Sequence, residues 1–261
     1  MKPIVSVIIT TFNRPQYLAE AIDSVLIQDF KALELIVIND ASTDGKTEEI
    51  ILLYKDKDQR VKYIKNERNL NSVRSLNAGL KSASGKYIAI LDDDDAWIYK
   101  GKLSQQVKFL EDNKDYILVG TNIIAVEAEK GREIVKSNYA LTDDKIRKSI
   151  FLDNPFAHSS VMYRREESLS IGGYDENLKR GKDYDLWLRL GKLGKMAVLP
   201  GFWVKYRIDT SSRENAIKVK RNDSRVKLTI MKKHAGEYPG FTLPFLIEWA
   251  RYIIFSIIYL F

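Results

Sequence analysis

Residues 92–95 are four consecutive aspartates, Asp92, Asp93, Asp94 and Asp95, placed directly after the apolar run "YIAIL" at 87–91. Neighbouring carboxylates raise one another's pKa, and a divalent cation seated among them relieves the repulsion. The chain has no cysteine and only two histidines, His158 and His234. Neither a thiolate zinc site nor a histidine-rich centre can be built, so any metal must be held by oxygen. A small set of oxygen ligands suits Mg²⁺ or Mn²⁺, which keep positions open for water and phosphate oxygens. Neither GxGxxG nor GxxxxGKS/T occurs, which disfavours dinucleotide oxidoreductases and P-loop ATPases. What remains is a nucleoside diphosphate carried on metal.

The elements that must position these acids are legible in the first hundred residues. "VSVIITTF" (5–12) is a continuous apolar, β-branched run. "NRPQYLAEAIDSVLIQ" (13–28) spaces Leu18, Ala21, Ile22, Val25 and Leu26 as one helix face, opened by Asn13 and Pro15. Strands at 33–40, 61–66 and 87–91 alternate with helices at 47–56 and 72–83. This alternation predicts right-handed βαβ units, a mostly parallel Rossmann-like sheet and an α/β fold class. Ligands of such sheets bind beyond the carboxyl ends of the strands. Four successive strands deliver polar clusters there: "TTFNR" (10–14), "NDAS" (39–42), "NERN" (66–69) and the four aspartates. Loops are polar in any protein, but four in register ending in a tetra-acid point to a site.

The 261 residues, 45% apolar, suffice for one large domain with an appendage. The net charge of +7 is uneven: eight Lys or Arg face two acids between Arg213 and His234, so the body of the protein is nearly neutral and nucleic acid is not the expected partner. The basic segment precedes "LPFLIEWARYIIFSIIYLF", a pairing that a membrane surface attracts through anionic lipid heads and interfacial aromatics. The charge-free run from Tyr252 to Phe261 is shorter than the ~20 helical residues a bilayer requires. The tail is expected either to lie on the membrane or to pack on protein. The amino terminus lacks the pattern of a secretory signal, so the expected location is cytoplasmic, peripheral on the inner face of a membrane.

"VSVIITTFNRPQYLAEAIDSVLIQDFKALELIVINDASTDGKTEEI", then "ASGKYIAILDDDDAW", then "GGYDENLKRGKDYDLWLRL" resemble the family 2 inverting glycosyltransferases with the A-type nucleotide-sugar fold, over roughly residues 3 to 210. The resemblance implies a catalytic domain at 1–212, with a nucleotide-sugar-binding half at 1–98 and an acceptor half at 99–212; the basic and apolar composition of 213–261 makes that segment a helical, membrane-associating extension. It implies that Thr10, Thr11, Asn13 and Arg14 hold the base and diphosphate of the donor, and that Asp40 reads the imide edge of the base, usually uracil. Asp92 opens the DxD triplet, Asp93 touches the ribose and Asp94 binds Mn²⁺ or Mg²⁺, while Arg74 is a further diphosphate contact. Asp183 matches the catalytic base of a Glu-Asp motif whose glutamate is here Lys182. Taken alone, Asp183 also fits a helix N-cap.

Three further residues carry weaker implications. His158, in "PFAHSSVMYRRE", either lines an acceptor pocket or is structural. Trp97 either stacks on a sugar or packs in the core. Asp209 stands where many family members have the histidine of Tyr-Arg-x-His, and is either an added metal ligand or part of a lid. The implied reaction is transfer of a sugar from a nucleoside-diphosphate sugar, UDP-linked, to a glycan or lipid-linked acceptor hydroxyl in surface polysaccharide or glycolipid synthesis. Asp183 serves as base and the metal as Lewis acid. A sugar-nucleotide nucleotidyltransferase and a catalytically inactive nucleotide-sugar-binding scaffold are the alternatives. The first lacks its glycine-rich basic loop, and the second rests only on Lys182 and Asp209.

Overall fold

Strands that are apolar at every position belong in a sheet covered on both faces, and the first half of the chain builds one. In the computed structural model, which describes residues 2–208 and 216–258, β1 (Val5–Thr11), β2 (Leu33–Asn39), β3 (Val61–Lys65) and β4 (Tyr87–Ile90) lie in the order 3-2-1-4, all parallel. The connecting helices are α1 (Pro15–Leu26), α2 (Lys46–Lys57) and α3 (Ser72–Ser82). Pro15 sits at the first turn of α1, where its missing N–H costs nothing. Asn71 caps α3, its side-chain oxygen accepting from the N–H groups of Val73 and Arg74 at 3.1 and 3.3 Å. At Gly79 a β-carbon would stand 2.8 Å from Ile8 Cγ2, so the glycine lets α3 lie flat on the sheet.

The second half departs from the parallel expectation. It comprises β5 (Ala96–Trp97), α4 (Lys102–Asp112), β6 (Tyr116–Glu127), β7 (Glu133–Lys136), α5 (Asp143–Ser149), β8 (Met162–Arg164), α6 (Arg165–Ser170), α7 (Lys182–Leu190) and β9 (Lys195–Ile208). β8 joins β4 antiparallel, β6 joins β8 antiparallel, β9 runs parallel to β6, and β5 and β7 add antiparallel pairs at β9 and β6. The sheet as a whole is therefore mixed. A connection as short as 128–132 between β6 and β7 can only make a hairpin.

Alternate residues of each strand feed two cores. Ile8, Ile36, Ile38, Ile88 and Ile90 meet α3 and the Leu186, Trp187 and Leu190 face of α7. Val7, Ile9, Leu35, Val37 and Leu91 meet α1 and α4.

α8 (Ala216–Lys233) docks on α7 through a buried charge cluster. Asp185 accepts from Arg189 Nε at 2.7 Å, Lys233 Nζ at 2.8 Å and His234 Nε2 at 3.1 Å. At Gly181, the N-cap of α7, the backbone takes φ +66, and a β-carbon would stand 2.7 Å from Ile230 of α8. α9 (Thr242–Ile258) turns its buried Glu248 toward Lys227 of α8 at 3.3 Å. Its exposed side carries Leu243, Leu246, Ile247, Ile254, Ile257 and Ile258, a spacing that puts them on one helix face. Among the described residues, no helix is long and apolar enough to cross a membrane.

Burial alone would push the Asp185 carboxyl up, but His234, Lys233 and Arg189 hold it far below the usual carboxylate range. A depressed carboxyl contributes stability that is present above its unfolded pKa, near 4, and is lost as pH falls toward the folded value. Replacing Asp185 by Asn is expected to cost about 1.5–3 kcal/mol at pH 7, because Arg189, Lys233 and His234 lose the charge of their buried common acceptor while keeping the Ile171 carbonyl, Asp175 and Glu237 as partners, and the deficit should shrink below about pH 4. Urea midpoints of the two proteins at pH 7 and pH 3 check this; equal midpoints at pH 7 would refute the role given to the cluster.

Candidate active site

The carboxyl ends of β1 to β4 open onto a cavity of about 450 Å³. β1 contributes Thr10 and Thr11 and its following loop Phe12 and Arg14; β2 contributes Asp40; the α3 entry contributes Asn69, Asn71 and Ser72; the loop after β4 contributes Asp92, Asp93 and Asp94. The opposite wall is Lys182 of α7 with Tyr206 and Arg207 of β9. A larger cavity, about 570 Å³, opens at the amino-terminal edge of the strands around Lys2, Gly85 and Arg165. There Lys86 is paired with Glu111 at 2.6 Å and Arg164 is bonded to backbone carbonyls. That cavity has acids too, Glu111, Glu166 and Glu167, but it lies at the opposite end of the strands from the loop of four aspartates, which opens onto the first cavity.

Each of the four aspartates has its own compensation. Asp92 Oδ1 lies 2.8 Å from His158 Nδ1, while His158 Nε2 lies 3.0 Å from the Tyr174 hydroxyl, itself 3.4 Å from that of Tyr163. With the proton assigned to Nδ1, the imidazole donates to Asp92 and accepts from Tyr174. Partial desolvation of Asp92 opposes ionisation, but His158, Lys182 and Arg14 hold its carboxyl down at about 2. Asp93 and Asp94 share Arg14, whose Nη1 lies 2.8 Å from an oxygen of each. Burial pushes Asp93 up to about 6 despite Arg14, and raises Asp94 as well. Asp95 turns inward: it accepts from the Ser159 hydroxyl, and from the Arg207 N–H at 2.8 Å. Burial and the charge of Asp92 push Asp95 well up. It is the structural member of the run.

The remaining residues sort by position. Asp40, 3% exposed, accepts from Asn66 Nδ2 at 2.7 Å and the Leu70 N–H at 2.9 Å through Oδ1. Among the described residues Oδ2 has no such partner. Asn13, at φ +51, ties the first loop to the second: its side-chain oxygen accepts from the Thr43 N–H at 2.7 Å, and its N–H donates to Ser42 Oγ at 3.0 Å. Arg74 is brought elsewhere, with its Nε 3.2 Å from Glu176 and off the cavity wall.

Trp97 and His158 do not offer themselves to an acceptor. Trp97 is 2% exposed, with its indole N–H donating to the Ser159 carbonyl at 2.8 Å and Lys102 Nζ 4.0 Å from the centre of its ring. It is part of the core, because β5 pulls its side chain under the sheet. His158 is buried behind Asp92 and acts on that carboxylate. Asp183, in the first turn of α7, accepts from Asn154 Nδ2 at 2.8 Å. It makes no capping bond to its own helix, whose N-cap is Gly181. Asp209 lies outside the described residues.

The donor set fits a divalent ion of the Mg²⁺ or Mn²⁺ kind. Oxygens of Asp93 and Asp94 already bracket one positive centre, and such ions bind through one or two carboxylates completed by phosphate and water. Among the described residues no three acids or histidines are grouped so as to hold a metal ion by themselves.

Sequence reasoning missed Tyr206, Arg207, Asn154 and Ser159. Arg207 Nη1 donates to the Asp94 carbonyl at 2.6 Å, a second nitrogen pairs with Glu20, and the guanidinium lies 4.5 Å from the centre of the Tyr17 ring. The bonds of Arg207 to the acid loop join residues more than 110 positions apart, and no local spacing signals them. The only sequence sign was the "YR" within the segment compared with Tyr-Arg-x-His.

The model of the family described as glycosyl transferase family 2 matches residues 6–171. An uncharacterized glycosyltransferase of Methanocaldococcus jannaschii is 36% identical over 238 residues, 89% of this chain and 80% of that protein. The putative glycosyltransferase EpsE of Bacillus subtilis is 36% identical over 74% of this chain and 68% of its own length. Among solved structures, S. aureus TarS 1-349 in complex with UDP-GlcNAc superposes with a TM-score of 0.71 at 21% identity, covering 98% of this chain and 72% of that one. A mannosyltransferase from Pyrobaculum calidifontis in complex with GDP-Man and Mn²⁺ gives 0.69 at 18% identity, covering 98% and 74%. These two establish the A-type fold.

The burial of Trp97 makes a direct prediction. Trp97→Phe removes the indole hydrogen bond and part of the core volume, and is expected to cost about 1–3 kcal/mol while leaving nucleotide affinity within about twofold. Urea denaturation paired with nucleotide titration checks it; loss of affinity without loss of stability would return Trp97 to the ligand.

Proposed function

The chain belongs to glycosyl transferase family 2, and from that premise we propose that it transfers a sugar, with inversion, from a UDP-linked donor to an acceptor hydroxyl. The observation that carries this reading is the single cavity walled by Asp40 and the acid loop on one side and by the Asp183-bearing end of α7, through Lys182, on the other. A donor laid along it has its base at Asp40 and its diphosphate at Asp92 to Asp94. The reacting carbon then faces α7. The UDP preference is supported by the UDP-GlcNAc complex of the neighbour TarS, while the GDP-Man complex of the other neighbour makes GDP the competitor to test.

Each group has a task on this reading. Asp40, with Oδ1 occupied by Asn66 and Leu70, presents Oδ2 to an imide N–H of the base. Asn154 occupies Oδ2 of Asp183 and thereby orients Oδ1 to accept the acceptor's proton as its oxygen attacks. Arg14 and Lys182 bring positive charge to the donor phosphates. A divalent cation held by Asp94 would supply Lewis-acid stabilisation of the departing diphosphate. One base and no protein proton donor are then needed, unlike a glycosidase with its paired carboxylates, and attack from the α7 side inverts the anomeric centre.

The acceptor is proposed to be a glycan or glycolipid of the cell surface, met by residues 1–212 at the cytoplasmic face of a membrane, where residues 213–261 seat the protein. The apolar face of α9 beside the lysines and arginines of α8 supports this. No nucleic acid is involved.

Calorimetric titration with UDP, GDP and dTDP, each with and without Mn²⁺, is expected to give metal-dependent binding of UDP that Asp94→Ala abolishes. Asp183→Asn should bind UDP as the wild type does and lose at least ~10²-fold in transfer rate; normal transfer by that variant would remove Asp183 as the base. Sedimentation with vesicles is expected to bring the protein down with phosphatidylglycerol-containing membranes and not with pure phosphatidylcholine. Removing Leu246 and Ile254 to Ser should release it, and no sedimentation with either membrane would end the seating proposal.

A further inference from the structure

A single guanidinium nitrogen, Arg14 Nη1, stands 2.8 Å from Asp93 Oδ1 and 2.8 Å from Asp94 Oδ2. A positive centre equidistant from two adjacent carboxylates occupies the place that a cation bridging them has to take. Two cations cannot share it. We propose that Arg14 is the site's built-in counter-cation and that a divalent metal enters only by displacing it, with the donor diphosphate drawing the guanidinium off the acids as it delivers the metal. Metal and nucleotide then bind as a pair, and neither binds well alone. This rests on the reading that Asp93 and Asp94 serve a metal-bound nucleotide.

The surroundings of Arg14 suit an exchange by side-chain rotation. Its backbone is pinned on both sides: Asn13 is held by Thr43 and Ser42, and Pro15 has its φ fixed by its ring. Rotation of the side chain leaves these contacts in place. The side chain itself is 44% exposed and separates two cavities, the donor cavity and another of about 220 Å³ bordered by Tyr17 and Glu129. Arg14, Asp94 and Arg207 line both, so the guanidinium has space on either side. Arg207 cannot take over, because it is tied to the Asp94 carbonyl and to Glu20. The released guanidinium also loses little, since its planar fork matches phosphate oxygens as well as carboxylate oxygens.

The experiment is Mn²⁺ binding, read by electron paramagnetic resonance of the free ion, for wild type, Arg14→Gln and Arg14→Lys, each with and without UDP. The wild type is expected to bind Mn²⁺ alone weakly and at least about tenfold more tightly with UDP, and by linkage UDP should gain equally from Mn²⁺. Arg14→Gln should bind Mn²⁺ alone about tenfold or more tightly than wild type and lose most of that synergy. Arg14→Lys, which keeps a charge without the fork, should fall between them, and thermal melts confirm that both variants fold. Equal affinity of wild type and Arg14→Gln for Mn²⁺ alone overturns the exchange while leaving metal-dependent donor binding in place. Absence of Mn²⁺ binding by all three proteins, with UDP as well as without, overturns both.

Discussion

Four carboxylates in a row at the end of a fully buried strand set the terms for the rest of this molecule. Charges in a poorly hydrated place need partners within hydrogen-bonding reach, and four neighbours on one loop cannot share one partner. The chain supplies them from segments far apart in sequence: Arg14 from the first loop, His158 and Ser159 from the turn before β8, and Arg207 from the end of β9. The acid loop therefore fixes where the first, middle and last thirds of the sheet must meet. Within the run the compensation is graded. His158 keeps Asp92 ionised, Arg14 is divided between two acids, and burial holds Asp95 toward its protonated form.

Ser159 shows how closely support and site are joined. Its hydroxyl donates to Asp95 and accepts the Asp92 N–H at 3.0 Å, and its carbonyl accepts the indole N–H of Trp97. The hydroxyl is thus a brace between the two ends of the tetra-acid, and the backbone behind it is anchored by the largest side chain of β5. His158, the next residue back, passes Asp92 on to two buried tyrosines. The aspartates that line the cavity are in this way held by groups that do not line it.

What the sequence disclosed follows from the range of the forces involved. β1 to β4 and α1 to α3 were readable within about two residues at every end, because apolar periodicity and a first-turn proline such as Pro15 act over a few positions; Asn13, expected to open α1, instead ties its loop to Ser42 and Thr43, and Arg14 is the N-cap. The placing of Thr10, Asp40 and the aspartates at one edge followed from parallel topology alone. The second half was not readable in the same way. β8 has three residues and β5 two, too short for a period, and their places come from pairing with β4 and β9. Trp97 and His158 could be recognised as important but not oriented: which way a side chain faces after a tight loop depends on the strand that it joins. Arg207 and Asn154 depend on contacts across the whole fold, which spacing cannot carry.

The glycine before α7 has an evolutionary consequence. The left-handed backbone at Gly181 begins the helix that bears Asp183, and Ile230 and Val226 of α8 fill the space where a side chain at 181 would stand. The basic helix α8 is thus one wall of the start of α7, and the two segments, nearly fifty residues apart, are not free to drift independently. A relative with a side chain at the position of Gly181 must have trimmed its counterpart of Ile230, and a relative with a different carboxyl-terminal extension must have found another way to begin this helix. Covariation between these two positions would record the history of how α8 and α7 came to be packed together.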